Sequence, residues 1–265
     1  MNQRVSNEPP QPDYSDDPVV LASSSHYPAI PPPVSVPLAI LPQHSCPYLP
    51  GHMAEDRAIW AGSIPPDLYQ RFMDAGFRRS GKLLYQPACC GCRACASIRV
   101  PVGKFRPDKS QRRCARRNAD LRVTIAPPAC SEEKFALYRK YITQWHDRAD
   151  VDDASGFESF LYDSPLSTTL EFEYRDVAGR LLAVGICDPC PSALSSVYVY
   201  FDPGQAARGL GTFAALQEID YAARSDLSHY YLGYWVPGCR AMEYKSSYRP
   251  NEILHPDGVW RRLHD

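Results

Sequence analysis

Two groups of residues carry the types and spacing that chemistry needs. Cys89, Cys92 and Cys95 stand with two residues between each neighbouring pair, and Cys90 falls among them. Thiolates so spaced can turn toward one ion or cluster, with Cys46 as the candidate fourth ligand. Four thiolates suit tetrahedral zinc, repeated two-residue gaps also suit an iron–sulfur cluster, and spacing does not choose between them. The plain alternative is a set of reduced, packed thiols that bind nothing. The second group lies between Gly233 and Trp260, where Tyr234, Trp235, Tyr244 and Tyr248 interleave with Arg240, Lys245 and Arg249. A core strand does not mix rings and cations in this way, because a buried cation without a partner is costly. The mixture suits a partly exposed site for an anion and a flat ring.

A third group is electrostatic. Lys104, Arg106, Lys109, Arg112, Arg113, Arg116 and Arg117 fall within fourteen residues that hold one acid, Asp108. On a helix, Arg112 with Arg116 and Arg113 with Arg117 would set like charges at i,i+4, costing a few tenths of a kcal/mol per pair. A polyanion would relieve that repulsion, and arginine forks suit phosphate oxygens. With a formal net charge of −1, affinity for nucleic acid has to come from such a local patch. A solvated basic face paired to acids elsewhere is the alternative.

Read together with Cys46-Pro47-Tyr48-Leu49-Pro50-Gly51, Gly76-Phe77-Arg78-Arg79-Ser80-Gly81, Tyr85 to Cys95 and Phe105 to Arg113, these groups resemble one family. They are similar, in order and spacing from about Cys46 to about Trp260, to the aminoacyl-tRNA–protein transferases, and among them to the bacterial aspartate/glutamate leucyltransferases. The resemblance implies a GCN5-related acyltransferase-like fold. It implies an enzyme that moves leucine from leucyl-tRNA to proteins beginning with Asp or Glu, marking them for degradation by the N-degron route. Arginine transfer to the same acceptors is the sibling alternative. The relatives' cysteine metal or cluster sites favour such a site here, and Cys90 stands where bacterial members commonly have another residue.

Peptide-bond formation from an aminoacyl ester needs no ATP and no cofactor. The acceptor α-amine has a pKa near 8, so positioning and oxyanion stabilisation can supply much of the rate. The acceptor carboxylate asks for a cation, for which Arg78, Arg79, Arg240 and Lys245 are the candidates. Tyr244 and Lys245 are the expected catalytic pair. Trp235, with Tyr234 and Tyr244, is a candidate for stacking on the terminal adenosine, and amides near Gly209 and Gly211 for receiving phosphate. The seven-cation block is the expected transfer-RNA surface. Ala206 stands where acetyltransferases of the implied fold commonly have Arg or Gln, which argues against coenzyme A, and a cysteine-metal RNA-binding module is the non-enzymatic alternative.

Elements must hold these groups. Twelve of the 26 prolines lie in the first 50 residues, so residues 1–42 are expected to be a disordered leader. Residues 43–120 are expected to form an N-terminal domain with the cysteines and the basic block, and 121–265 a C-terminal acyltransferase-like domain. Periodicity predicts a short helix from Pro65 to about Gly76, strands at 82–85, 97–100 and 121–125, and a helix opening at Ser131 whose Phe135, Tyr138, Ile142 and Trp145 read as core. A hairpin over 169–186, a strand at 194–201, a helix over 212–224 and a strand at 230–235 follow, an α+β order. Cys114, Cys130, Cys187, Cys190 and Cys239 read as packing residues. No apolar run approaches a membrane span and no secretory signal is visible, so a cytoplasmic protein is expected.

Overall fold

The computed structural model describes residues 14–21, 34–147 and 151–263. Strands β1 (Tyr14–Leu21), β2 (Val34–Ile40), β3 (His44–Ser45), β4 (Met53–Ala54) and β5 (Asp56–Trp60) come first. Helix α1 (Pro66–Asp74), β6 (Arg78–Ser80), β7 (Leu83–Pro87), β8 (Ala96–Pro101) and α2 (Lys109–Arg117) follow. Then come β9 (Arg122–Ala126), α3 (Glu132–Trp145), α4 (Ala154–Phe157), β10 (Leu170–Arg175), β11 (Leu181–Pro189) and β12 (Ala193–Phe201). The chain ends with α5 (Leu210–Arg224), β13 (His229–Trp235), α6 (Arg240–Glu243), β14 (Glu252–Leu254) and β15 (Trp260–Arg262).

The mixed α+β architecture rests on two larger sheets. A five-stranded sheet runs β1-β2-β5-β7-β6, and an eight-stranded sheet runs β15-β14-β8-β13-β12-β11-β10-β9. The eight-stranded sheet takes β8 from before residue 120 and seats it antiparallel between β13 and β14. Its neighbours are antiparallel except β12 and β13, whose parallel pairing requires the crossover helix α5. Nearly every residue of β11 is buried, as expected of a strand covered on both faces. The period of two in β10 shows how: Glu171 and Glu173 meet Lys134 of α3, while Phe172 and Tyr174 pack edge-on against Tyr221 and Phe213 of α5.

Local chemistry explains the helices that matter. Ser131 caps α3 by accepting from the Lys134 amide at 3.4 Å. Asp108 and Gln111 form a reciprocal capping box on α2, with bonds of 2.8 and 2.9 Å, worth about 1 kcal/mol and enough to offset its like-charge pairs. Two stretches of the leader expected to be disordered depart from expectation, β1 and β2. Val34–Ile40, inside the proline-rich leader, is a strand paired to β1 and β5 with Leu38 fully buried. Alternation of Val34, Val36, Leu38 and Ile40 outweighs its single proline; the rest of residues 1–33 other than β1 lies outside the described residues. No helix among the described residues is long and apolar enough to cross a membrane.

The two sheets are locked by one buried ion pair. Arg79 of β6 donates Nε to Asp188 Oδ2 at 2.6 Å and Nη2 to Oδ1 at 2.9 Å, and Thr169 Oγ1 donates to the same carboxylate at 2.8 Å. Both charged side chains are fully buried. Removing one partner leaves an uncompensated charge in the core. Arg79→Met and Asp188→Asn are each expected to lower unfolding free energy by about 3–5 kcal/mol, read from urea denaturation, and the double variant to cost less than their sum.

Candidate functional site

The cleft begins where two strands part. β12 and β13 pair only from Ala193, Leu194 and Ser195 to His229, Tyr230 and Tyr231. Both continue, β12 to Phe201 and β13 to Trp235, without further pairing to each other. A cleft of about 440 Å³ occupies this opening, with Ser196, Val197, Tyr198 and Val199 on one lip and Leu232, Gly233 and Tyr234 on the other. Register shifts in β12 opposite Ile186–Cys187 and in β13 between Tyr231 and Gly233 re-aim both lips.

One end of the cleft is cationic. Arg78, 5% exposed, donates Nη2 to the Gly233 carbonyl at 3.1 Å, and its guanidinium lies 5.3 Å from the Tyr231 ring centre. Its Nε and Nη1 have no hydrogen-bond partner among the described residues. Lys245, 8% exposed, donates Nζ to the Tyr234 carbonyl at 2.8 Å. Both converge on Gly233: a Cβ there would lie 3.3 Å from Lys245 Nζ and 3.9 Å from Arg78 Nε, and its φ of +89° suits glycine. Burial, with repulsion from Arg78, pulls the Lys245 amine down to about 7. Neither cation has a carboxylate within salt-bridge reach among the described residues.

Another part of the lining is aromatic. Tyr141 and Ile142 come from the last turns of α3, Phe160 from the π-helical turn Glu158–Tyr162, and Tyr198 from β12. Tyr244, half-exposed, and His146 also line the cleft. The α3 stripe expected as core therefore serves two purposes: Tyr138 packs in the main core, whereas Ile142 also lines the cleft. Tyr141, Phe160 and Tyr198 carried no separate sequence signal, since nothing in their spacing distinguishes a wall from a core.

The other expected site residues are distributed differently. Arg79 borders the cleft, but its fork is held by Asp188 and is not open to a substrate. Trp235 packs against the main core and does not line the cleft, and Arg240 is exposed on α6 and does not line it either, although its neighbours Ala241 and Met242 do. Tyr234 is buried and donates its hydroxyl to the Gly76 carbonyl at 2.9 Å, leaving no free face for stacking. Gly209, at φ +71°, joins the turn Pro203–Arg208 to α5, where Cys114 Sγ would lie 3.3 Å from an added Cβ; Gly211 faces the Phe201 ring. Neither glycine reaches the cleft.

Lys104, Arg106, Lys109, Arg112, Arg113, Arg116 and Arg117 are all exposed on and before α2. None forms an ion pair among the described residues; Arg106, Arg112 and Arg117 donate to backbone carbonyls instead. Cys46, Cys89, Cys92 and Cys95 line one pocket of about 120 Å³ beside Tyr48 and Tyr85. The Leu49 amide donates to Cys46 Sγ at 3.4 Å, and burial, then crowding by the other three thiols, pushes the Cys95 thiol up to about 12. Donor type and enclosure fit a thiolate-bound ion, yet no three His, Cys, Asp or Glu side chains among the described residues stand in a set ready to hold one. Cys90 is exposed and outside this pocket, and Cys130, expected as packing, is exposed.

Comparison with known proteins matches this arrangement to one family. The family model described as arginine-tRNA-protein transferase, N terminus, matches residues 44–113, and its C-terminus counterpart matches 133–255. The aspartate/glutamate leucyltransferase of Stenotrophomonas maltophilia (strain R551-3) is 44% identical over 235 residues, covering 84% of this chain and 90% of the relative. Those of Pseudomonas putida (strain W619) and Halorhodospira halophila are 46% and 43% identical, over 80% and 82% of this chain and 90% and 93% of theirs. Among solved structures, L-PGS from Bacillus licheniformis overlaps 73% of this chain and 62% of its own at 12% identity and a TM-score of 0.48, too loose a likeness to bear on function.

The Lys245 amine gives the site a measurable signature. Its ordinary value is 10.5 and its folded value about 7, so between these the unfolded chain carries a proton that the folded chain lacks. Stability from this group therefore rises with pH across that window, and its cost is fully present below about 7. Lys245→Met removes the slope. Thermal melting from pH 6.5 to 10 is expected to show the wild type gaining on the variant as pH rises; a pH-independent difference would contradict a depressed amine.

Proposed function

We infer that this chain, which belongs to the aspartate/glutamate leucyltransferases of the arginine-tRNA-protein transferase family, transfers leucine from leucyl-tRNA to the N-terminal Asp or Glu of acceptor proteins. The observation that carries the acceptor assignment is the pair Arg78 and Lys245, buried, converging on Gly233 and unmatched by any carboxylate among the described residues. A desolvated cation is costly until an anion arrives. Arginine transfer is disfavoured by the shared name of the relatives, all leucyltransferases at 43–46% identity.

In this reading the free Nε and Nη1 of Arg78 fork the acceptor's side-chain carboxylate. Neutral Lys245 takes a proton from the adjacent α-ammonium, whose ordinary pKa is near 8. The freed amine attacks the ester carbonyl carbon, a C–N bond forms, and the bond from that carbon to the ribose 3′-oxygen breaks. As the amide forms the nitrogen sheds a second proton; one proton passes from Lys245 to the departing oxygen, directly or through the Tyr244 hydroxyl, and the other is released to solvent, so that an ammonium and an ester give an amide, an alcohol and one proton. Nothing is oxidised or reduced. The splayed pair β12 and β13 with crossover helix α5 supports an acyltransferase-like reaction centre. The four-thiol pocket beside Tyr85 and Tyr234 is the proposed place for a zinc ion or iron–sulfur cluster, where it would brace the cationic end structurally. The exposed block from Lys104 to Arg117 is the proposed transfer-RNA surface, and the cytoplasm, which holds charged tRNA, the proposed compartment.

Three measurements test this. Purified protein, kept reduced, is expected to move labelled leucine to peptides beginning with Asp or Glu and not to their amides; leucine on the amides equally would remove the role given to Arg78. Arg78→Ala is expected to raise acceptor KM by about tenfold or more, with Arg78→Lys recovering only part because it cannot fork. Loss of four charges in Arg112→Ala, Arg113→Ala, Arg116→Ala and Arg117→Ala is expected to weaken tRNA binding and flatten its dependence on salt. A slope equal to that of the wild type would move the RNA surface elsewhere.

A further inference from the structure

We propose that the part of the cleft lined by Tyr141, Ile142, Phe160 and Tyr198 receives the side chain of the donor amino acid, and that it selects leucine over arginine because no described residue lining the cleft is a carboxylate. The proposal rests on the aminoacyl-transfer reading above and names which part of the cleft reads the donor.

Three observations carry it. The first is shape: Tyr141 and Ile142 are 7% and 6% exposed, and they line the cleft together with Phe160 and Tyr198, on elements other than those that carry Arg78 and Lys245. The Phe160 and Tyr198 rings pack edge-on at 5.0 Å and 72°, and Tyr141 and Tyr198 at 6.4 Å and 87°. Edge-on rings from three different elements enclose an apolar corner rather than present a flat stacking face.

The second is charge. None of the described residues lining the cleft is Asp or Glu. Its charged groups are Arg78, Lys245 and the already neutralised Arg79, with His146 beside Tyr141 at the apolar end. A guanidinium entering this corner would lose water without meeting a carboxylate among the described lining residues. A branched aliphatic side chain loses nothing there and buries its surface.

The third is the division of labour within the opening. The cationic end stands on β6, β13 and the turn after α6, and the aromatic end on α3, the π-helical turn and β12. An acidic acceptor and an apolar donor therefore approach from opposite lips, and their reacting atoms meet over the gap between β12 and β13. Each substrate is read by a separate set of side chains.

The test uses the full chain, one acceptor peptide beginning with Asp, and tRNA charged separately with leucine, methionine, phenylalanine or arginine. The wild type is expected to use leucine best and arginine at least a hundredfold less well in kcat/KM. Phe160→Ala enlarges the corner and is expected to shift the phenylalanine-to-leucine ratio upward by about tenfold or more, a range typical of apolar pocket discrimination. Tyr198→Glu supplies the missing carboxylate and is expected to lower leucine use by about tenfold while raising arginine relative to leucine. Acceptor KM stays unchanged in both. If Tyr198→Glu does not fold, as judged by its melting curve, Phe160→Ala decides. A wild type that moves no leucine refutes the reading of the reaction. A wild type that moves leucine, with donor ratios unshifted in the folded variants, refutes the pocket alone.

Discussion

The separation of β12 from β13 after three paired residues is the constraint from which the site follows. A parallel pair is held by evenly spaced, slanted hydrogen bonds, and once the strands diverge their facing backbone groups need other partners. On β13 the Gly233 and Tyr234 carbonyls are taken by Arg78 and Lys245. The two cations are thus part of what holds the opening apart. Gly233 makes this possible, because its φ of +89° turns the strand and a side chain would crowd both cations.

Holding them there is costly. Desolvation disfavours a charged amine strongly enough to bring Lys245 to about 7, and no carboxylate among the described residues relieves it. Contrast Arg79, one residue along β6: the side-chain alternation of a strand sends it to the other face, where Asp188 and the Gly81 carbonyl accept its hydrogen bonds and Thr169 donates in turn to Asp188. Neighbouring arginines therefore do opposite work. Arg79 joins the five-stranded sheet to the eight-stranded one with its charge matched, and that rigid joint fixes β6 so that Arg78 can keep its charge unmatched.

This contrast marks the limit of what the sequence made legible. Helices α1, α3 and α5, the hairpin β10–β11 and strands β8, β9, β12 and β13 were readable from capping residues and periodicity, because local chemistry specifies them. Arg78 and Lys245 were readable as candidates from residue type and family resemblance. Telling Arg78 from Arg79 was not, since the distinction depends on Asp188, 109 positions away. The short strands β14 and β15 exist by pairing to β8 and to each other, which local pattern does not reveal. The aromatic wall was hidden for a related reason: Tyr141 and Ile142 have the spacing of core residues, and only the missing β12–β13 pairing beside them turns a core face into a cleft wall.

Gly209 shows how a motif can be structural in a way that still bears on function. The carbonyls of Ala207, Arg208 and Gly209 are engaged by Arg117 of α2, by Asn118, which ends that helix, and by Cys114 of α2. The glycine turn, expected to cradle phosphate, instead receives the last turn of the basic helix. Because α5 starts at that turn and crosses over to β13, the exposed arginines of α2 are tied through one helix to the strand that carries Gly233. A polyanion bound along α2 would then have its position set relative to the cleft by packed backbone rather than by a flexible linker. Such coupling matters most for a reaction that relies on orienting two substrates, since misplacement by about 1 Å can cost a hundredfold in rate.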